Sequence, residues 1–350
     1  MTNANVLNFL KAARREQPSQ IPVALFGGSP YNIAFSKVKS SDYYFNSEIK
    51  LKVFTRMFEE YSDAVFLPGY WPDFGPVDIP SAFGCEIFYP EVGSPHAKQV
   101  CSSIHDVNKL KPANPYKSGI VPKILAEWEY LWEHVDKKWV EEYGYLNGIG
   151  WTAGPVEAAA LIRGYQEFLS DMIQAPHLIH KLLDMVTEFV LEYLRAQEKI
   201  NGKLKRVCVV DHLASIISPQ HVQEFFIPYM QKVFYEFSYA EVRLWHNEGK
   251  CKHFLEAIPK LGCNVWQFGD DDIVEAKSKV GARVTLLGNI DPVNLIKFTP
   301  EQVEKESEKV LNLAGQDGIF ILSAGGGFAP ETPAANIKAI IRAAQKFSLT

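Results

Sequence analysis

Short apolar runs that stop abruptly at Gly, Asp, Asn or His recur along the chain, and amphipathic helical patterns separate them. The runs are Val23–Phe26 before Gly27-Gly28, Ala64–Leu67 before Pro68-Gly69, Tyr145–Ile149 before Gly150-Trp151, and Val207–Val210 before Asp211. Val242–Trp245 before His246, Val265–Phe268 before Gly269-Asp270, Val284–Leu287 before Gly288-Asn289, and Phe320–Leu322 before Ser323 and Gly325–Gly327 complete the series. This alternation predicts a parallel sheet covered by helices, and its eight units predict an α/β fold of the (β/α)8 TIM-barrel class. Among the spacers, Leu161, Ile162, Tyr165, Phe168, Leu169, Met172 and Ile173 form one apolar helical face. Leu182, Leu183, Val186, Phe189, Val190, Tyr193 and Leu194 form another, on a helix that opens at Pro176 and stops near Asn201-Gly202. Ser218-Pro219, Thr299-Pro300 and Thr332-Pro333 each read as an N-cap followed by proline at the first helical position, where the missing N–H costs nothing. One spacer is far longer than the rest. Residues 72–142, between the second and third strands, carry Trp128, Trp132 and Trp139 near helical spacing and are expected to form a helical insertion over the barrel mouth, within a single domain spanning 1–350.

Composition narrows the class without changing that picture. The 350 residues are 47% hydrophobic and 22% charged, as in an ordinary folded globular protein. The 36 Lys+Arg and 41 Asp+Glu leave a net charge of −5 with no basic block, which excludes an electrostatic footprint for nucleic acid. No uncharged apolar stretch reaches the roughly 18 residues of a membrane span, and Met1–Leu10 lack a signal-peptide pattern, so a cytoplasmic protein is expected. Five cysteines (Cys85, Cys101, Cys208, Cys251, Cys263) with no CxxC pair support neither a disulfide framework nor a thiolate zinc ribbon.

In a (β/α)8 barrel the chemistry sits at the C-terminal strand ends, so the strand ends at Asp211, His246, Asn289 and Gly326 are expected to converge on one cleft. Successive strand residues alternate faces, so His246 and Glu248 project the same way if the fifth strand continues through them. An imidazole and a carboxylate so placed can share a cation; the other reading is a His–Glu hydrogen bond closing the strand. Asp211-His212 ends the neighbouring strand, and alternation lets only one of the two face His246; Asp211 is either a site carboxylate or a loop cap. Asp272 with Glu275 reads as a capping box rather than as part of a metal cluster at Asp270–Asp272. Gly325–Gly327 and Gly27-Gly28 let backbone N–H groups approach an anion or simply make tight turns, and neither fits a nucleotide-binding glycine motif. Trp71 and Trp151 are placed to wall a flat apolar ligand or to pack.

Several segments together resemble the uroporphyrinogen decarboxylase superfamily, in particular its corrinoid-dependent methyltransferase branch. They are Ala82-Phe83-Gly84-Cys85-Glu86, Gly154-Pro155 with Gly164 and Asp171-Met172, Ile217-Ser218-Pro219 with Phe225 and Pro228-Tyr229, His246-Asn247-Glu248-Gly249, Gly288-Asn289-Ile290-Asp291-Pro292, and Ser323–Gly327 followed by Pro330, Thr332-Pro333 and Asn336. The resemblance implies a (β/α)8 barrel, in agreement with the strand series. Decarboxylases of this kind carry an arginine motif after the first strand that holds the substrate's carboxylates, whereas Ile21–Tyr31 contains no arginine. The methyltransferase branch has His-x-Cys-Gly at the fifth strand and a Cys among the last glycines, a zinc site; this sequence keeps His246 and Gly249 but has Glu248 and Gly326 at the two Cys positions.

The resemblance therefore implies a zinc site with His246 and Glu248 as ligands and a third ligand from Asp211, His212 or Cys251. One imidazole and oxygen ligands make a harder ion than thiolates do, favouring an oxygen-bearing substrate. The expected activity is a methyltransferase, the O-demethylase component that moves a methyl group from a methoxylated aromatic compound to the cobalt of a separate corrinoid protein, with the metal activating the ether oxygen. In that reading His246, Glu248 and Asp211 are catalytic, and Trp71, Trp151, His212, Asn289 and Gly326 bind substrate. Two alternatives stand beside it: a metal-free decarboxylase, and a non-catalytic barrel that binds a corrinoid protein.

Overall fold

The computed structural model describes residues 1–349. Eight parallel strands run in chain order: β1 (Ala24–Phe26), β2 (Val65–Leu67), β5 (Ile149–Ala153), β6 (Arg206–Val210), β7 (Val242–His246), β8 (Val265–Gln267), β9 (Thr285–Ile290) and β10 (Phe320–Ala324). β5 to β10 form one continuous ladder and β1 pairs with β2. Val23 bridges Leu322, whose N–H donates to Pro22 O at 3.0 Å, and this joins β1 to β10. Between β2 and β5 no ladder forms; Tyr70 N–H donates to Tyr145 O at 2.8 Å, and Phe66 N–H to the Tyr145 hydroxyl at 2.9 Å. The architecture is thus a (β/α)8 barrel with its ladder interrupted at one seam, around a core of Val, Leu, Ile and Phe side chains withdrawn from water.

The strand boundaries differ from the sequence reading at two places that matter. The third barrel strand is Ile149–Ala153, not Tyr145–Ile149, so Trp151 lies inside a strand rather than after it. Gly150 makes this possible, since a Cβ there would sit 2.9 Å from Leu204 and 3.2 Å from Leu194. β9 runs on through Gly288 and Asn289 to Ile290. The helix expected across 161–173 is two, Pro155–Arg163 and Tyr165–Gln174, because Gly164 adopts φ +93° and a side chain there would strike Gln99. The next helix, Pro176–Asn201, ends at Gly202 with φ +76° as its sequence predicts.

Ser218 and Thr299 cap their helices, with Gln302 completing a capping box at Thr299, and Asp272 accepts from Glu275 N–H at 2.8 Å. At Thr332-Pro333 the helix starts one residue later than read, with Pro333 as the N-cap. The insertion is not purely helical: residues 72–142 hold an antiparallel hairpin, β3 (Glu86–Phe88) with β4 (His96–Lys98), beside helices Asp78–Ala82, Val121–His134 and Lys137–Glu141. Trp128 and Trp139, on two of these helices, are buried. All five cysteines are free and buried, and no described helix is long and apolar enough to cross a membrane.

Candidate active site

The C-terminal strand ends enclose a cavity of ≈ 260 Å³. Its aromatic wall is Phe26 from β1, Trp71 from the turn after β2 and Trp151 from β5; the two indoles lie 4.6 Å apart between centroids, and Phe26 lies 5.5 Å from Trp151. His246, the last residue of β7, stacks on Phe26 at 4.3 Å and is 2% exposed. Its Nδ1 lies 2.6 Å from Gln267 Oε1, the register partner of His246 in β8. Gln267 Nε2 donates to Ala324 O at 3.4 Å, which orients the amide so that its oxygen faces the imidazole. His246 Nδ1 therefore donates to this oxygen, which leaves Nε2 as the ring atom that faces Glu248.

That nitrogen lies 3.3 Å from Glu248 Oε1. β7 stops at His246, so strand alternation does not place Glu248; the loop does, with Gly249 N–H donating to Asn247 Oδ1 at 2.8 Å and Gly327 N–H to Glu248 Oε1 at 2.7 Å. The glycine loop after β10 does receive an anion, the protein's own carboxylate. Burial alone would push Glu248 up, but His246, the Gly327 N–H and His212 together hold it down to about 2.

His212 completes the cluster. Its ring stands perpendicular to that of His246 with centroids 5.3 Å apart, and one ligating atom from each of His212, His246 and Glu248 lies within 4.8 Å of the others. His212 Nδ1 lies 3.6 Å from Glu157 Oε2, which also accepts from the His212 backbone N–H at 2.8 Å, and the Tyr165 hydroxyl donates to Glu157 Oε1. His212 Nε2 is buried without a partner. Burial draws this imidazole down, but Glu157, Glu248 and Asp211 outweigh it and its pKa is raised.

Other expected site residues take different places. Asp211 is fully buried, and its carboxylate accepts from the N–H groups of Val156 (3.1 Å), Glu157 (2.9 Å) and Leu213 (3.2 Å), so it caps helix Pro155–Arg163 and does not line the cavity. Burial and the Glu157 charge push it up to about 7. Asn289 lies at the same barrel end but ties loops together, donating to Gly269 O and Asp271 O at 3.1 Å. Cys251 Sγ faces Asn247 Oδ1 and Gly249 O at 3.6 Å, outside the cluster. Gly326 abuts Glu248: a Cβ at 326 would lie 2.5 Å from Oε1.

Sequence reasoning passed over Phe26, Asp73, Asp78 and Glu157, which line the cavity, and Gln267, which orients His246. For Gln267 a signal existed, an amide within the apolar run Val265–Phe268. Asp73 and Asp78 are 1% and 6% exposed. Burial raises both, Asp78 to about 6. No Lys or Arg lines the cavity among the described residues.

A family model described as uroporphyrinogen decarboxylase (URO-D) matches residues 6–347. The chain belongs to the uroporphyrinogen decarboxylase family. Curated relatives of this family include the uroporphyrinogen decarboxylases of Psychromonas ingrahamii, 28% identical over 77% of this chain and 76% of that protein, and of Cellvibrio japonicus, 26% identical over 99% and 98%. Among solved structures, a methyltransferase from Methanosarcina mazei superposes with a TM-score of 0.79 at 21% identity, covering 98% of both chains. That likeness shows the shared barrel fold. Within the URO-D family, this chain pairs an aromatic cavity free of Lys and Arg with a His–His–Glu cluster at its floor.

Proposed function

We propose that this URO-D family member is a methyltransferase that takes a methyl group from a methoxylated aromatic donor and delivers it to the cobalt of a separate corrinoid protein, with zinc held by His212, His246 and Glu248. The observation that carries the reading is the convergence of these three side chains at an aromatic-walled cavity. Two imidazoles and one carboxylate are a donor set of catalytic zinc, which keeps one position open. His246 Nε2 and Glu248 Oε1, 3.3 Å apart, match the separation of about 3.4 Å between two ligands of a tetrahedral ion with bonds near 2.1 Å. The orphaned Nε2 of His212 supplies the third donor.

When bound, zinc supplies a Lewis acid for an oxygen on which negative charge develops. The protein's own groups do the rest. Gln267 and Glu157 hold the two imidazoles by their Nδ1 atoms, as outer partners of metal-binding histidines do. Phe26, Trp71 and Trp151 offer ring faces to a flat donor and keep water from it. Transfer breaks the ether C–O bond, the electron pair leaves on the phenolate oxygen, and the methyl carbon bonds to cobalt(I) of the partner. Attack opposite the departing oxygen requires that oxygen deep at the strand ends and the methyl group toward the open mouth, where a partner docks.

The curated relatives are decarboxylases, but a substrate held through many carboxylates meets no Lys or Arg in this cavity, and four acidic side chains instead. The outer partners of His246 and His212 speak against a decayed, non-catalytic site. Incubation with a reduced corrinoid protein and methoxylated phenols is expected to give methyl-cobalt absorbance and the free phenol. Absence of methyl-cobalt from zinc-loaded protein, or transfer proceeding equally with the corrinoid protein omitted, overturns the proposal.

A further inference from the structure

We infer that the donor is a methoxylated phenol without a carboxylate substituent, and that the cavity excludes methoxybenzoates; the inference rests on the methyl-transfer reading of the same site. Asp73, Asp78, Glu157 and Glu248 all line the cavity, and no Lys or Arg does. The cation that acts on Asp73, Lys50, is fully buried and committed to Glu127 at 2.6 Å, so it is not free for a ligand. Asp73 accepts from the Tyr43 hydroxyl at 2.9 Å and from Gly75 N–H at 3.0 Å, one bond to each oxygen, and Asp78 accepts from Ile79 N–H at 2.9 Å. Each carboxylate oxygen has two acceptor sites, so both acids retain capacity for a further donor.

A phenolic O–H is such a donor. A ring carboxylate offers only acceptors to Asp73 and Asp78 and adds a like charge beside a wall that no Lys or Arg lines, while the zinc of the His–His–Glu cluster is taken by the ether oxygen; that is costly in a partly desolvated cavity.

The test compares 2-methoxyphenol with 4-hydroxy-3-methoxybenzoate, by calorimetric binding to the purified zinc-loaded chain and by kcat/KM for methyl transfer. The benzoate is expected to be at least about 100-fold poorer in both, the consequence of juxtaposed like charges. Ser94, exposed in the β3–β4 turn and lining the cavity, is a place to supply the missing cation. Ser94→Arg is expected to narrow the preference about tenfold or more, with Ser94→Gln as the control for bulk. Comparable binding and turnover of the two rings, or a preference unmoved by Ser94→Arg, overturns the inference. Transfer from neither ring by zinc-loaded protein overturns instead the reading on which it rests.

Discussion

Glu248 occupies the space into which a side chain at Gly326 would project: a Cβ there would lie 2.5 Å from Glu248 Oε1, the same oxygen that accepts from Gly327 N–H at 2.7 Å. In the methyltransferases this sequence resembles, positions 248 and 326 are both cysteine. Here the carboxylate takes the space a side chain at 326 would need, and the glycine is the condition for its fit. Gly326→Ala is therefore expected to displace Glu248 and to weaken zinc retention roughly 10- to 100-fold, the range for loss of a group that positions a ligand. Glu248→Cys combined with Gly326→Cys is expected to bind zinc at least as well as the wild type. Zinc titration against a competing chelator checks both; wild-type affinity in Gly326→Ala refutes the packing argument.

Asp211 and His212 are adjacent in sequence, yet they separate cleanly by role. His212→Ala and His246→Ala are each expected to abolish stoichiometric zinc while leaving most of the fold intact. Asp211→Ala strands two backbone N–H groups at the start of helix Pro155–Arg163 and that of Leu213 in its own loop, and is expected to cost about 3 kcal/mol or more, at about 1 to 3 kcal/mol per unsatisfied group. Its folded fraction should keep its zinc. Metal analysis beside thermal melts decides: zinc lost from Asp211→Ala at unchanged melting temperature makes Asp211 a ligand.

The barrel was legible because its signal is local and repeated: an apolar run marks each of the eight strands, although β5 and β9 run on through the glycines read as their ends. His246 and Glu248 were legible for the same reason, two chemically distinctive residues at one strand end. That His212 and not Asp211 lies beside them was not, because choosing between the two depends on which one the helix after β5 claims, and Asp211 is taken by Val156 and Glu157 N–H groups 54 or more residues away in sequence. The acidic wall was hidden within the long insertion. Its apolar periodicity announces helices, whereas Asp73 and Asp78 reach the cavity through tertiary folding of that segment over the mouth.

Asp78 provides a pH signature. Burial raises its pKa from 3.8 to about 6, so the folded state holds the proton more tightly than the unfolded chain. Its favourable contribution is complete below about pH 4 and is lost as pH rises through about 6, since stability falls wherever the native state binds more protons. Asp78→Asn removes that titration. The stability of the variant relative to wild type is expected to increase by about 3 kcal/mol between pH 4 and pH 7, at about 1.4 kcal/mol per pKa unit. Denaturant melts across that window measure it; a difference that stays flat shows Asp78 to be ionised throughout.

The order of events in ether cleavage predicts how two site variants divide between binding and turnover. Negative charge is absent from the ether oxygen of the bound donor and grows as the C–O bond breaks, so a group that serves this charge is worth more in the transition state than in the ground state. Glu248 lines the cavity beside the buried His246, where that oxygen must lie for the methyl group to face the mouth. Trp71, tilted against Trp151 with ring centroids 4.6 Å apart, would contact the donor ring equally before and during transfer. Glu248→Ala, by loosening the zinc that would meet this charge, should therefore lower kcat and kcat/KM together by about 100-fold or more. Trp71→Ala should chiefly raise KM, about tenfold for the loss of one aromatic contact of roughly 1 kcal/mol plus its apolar area. Single-turnover rates at saturating donor separate chemistry from binding. A Glu248→Ala enzyme that keeps its single-turnover rate while donor affinity falls makes the carboxylate a ground-state binding group, and the charge-stabilising role of the cluster is then wrong.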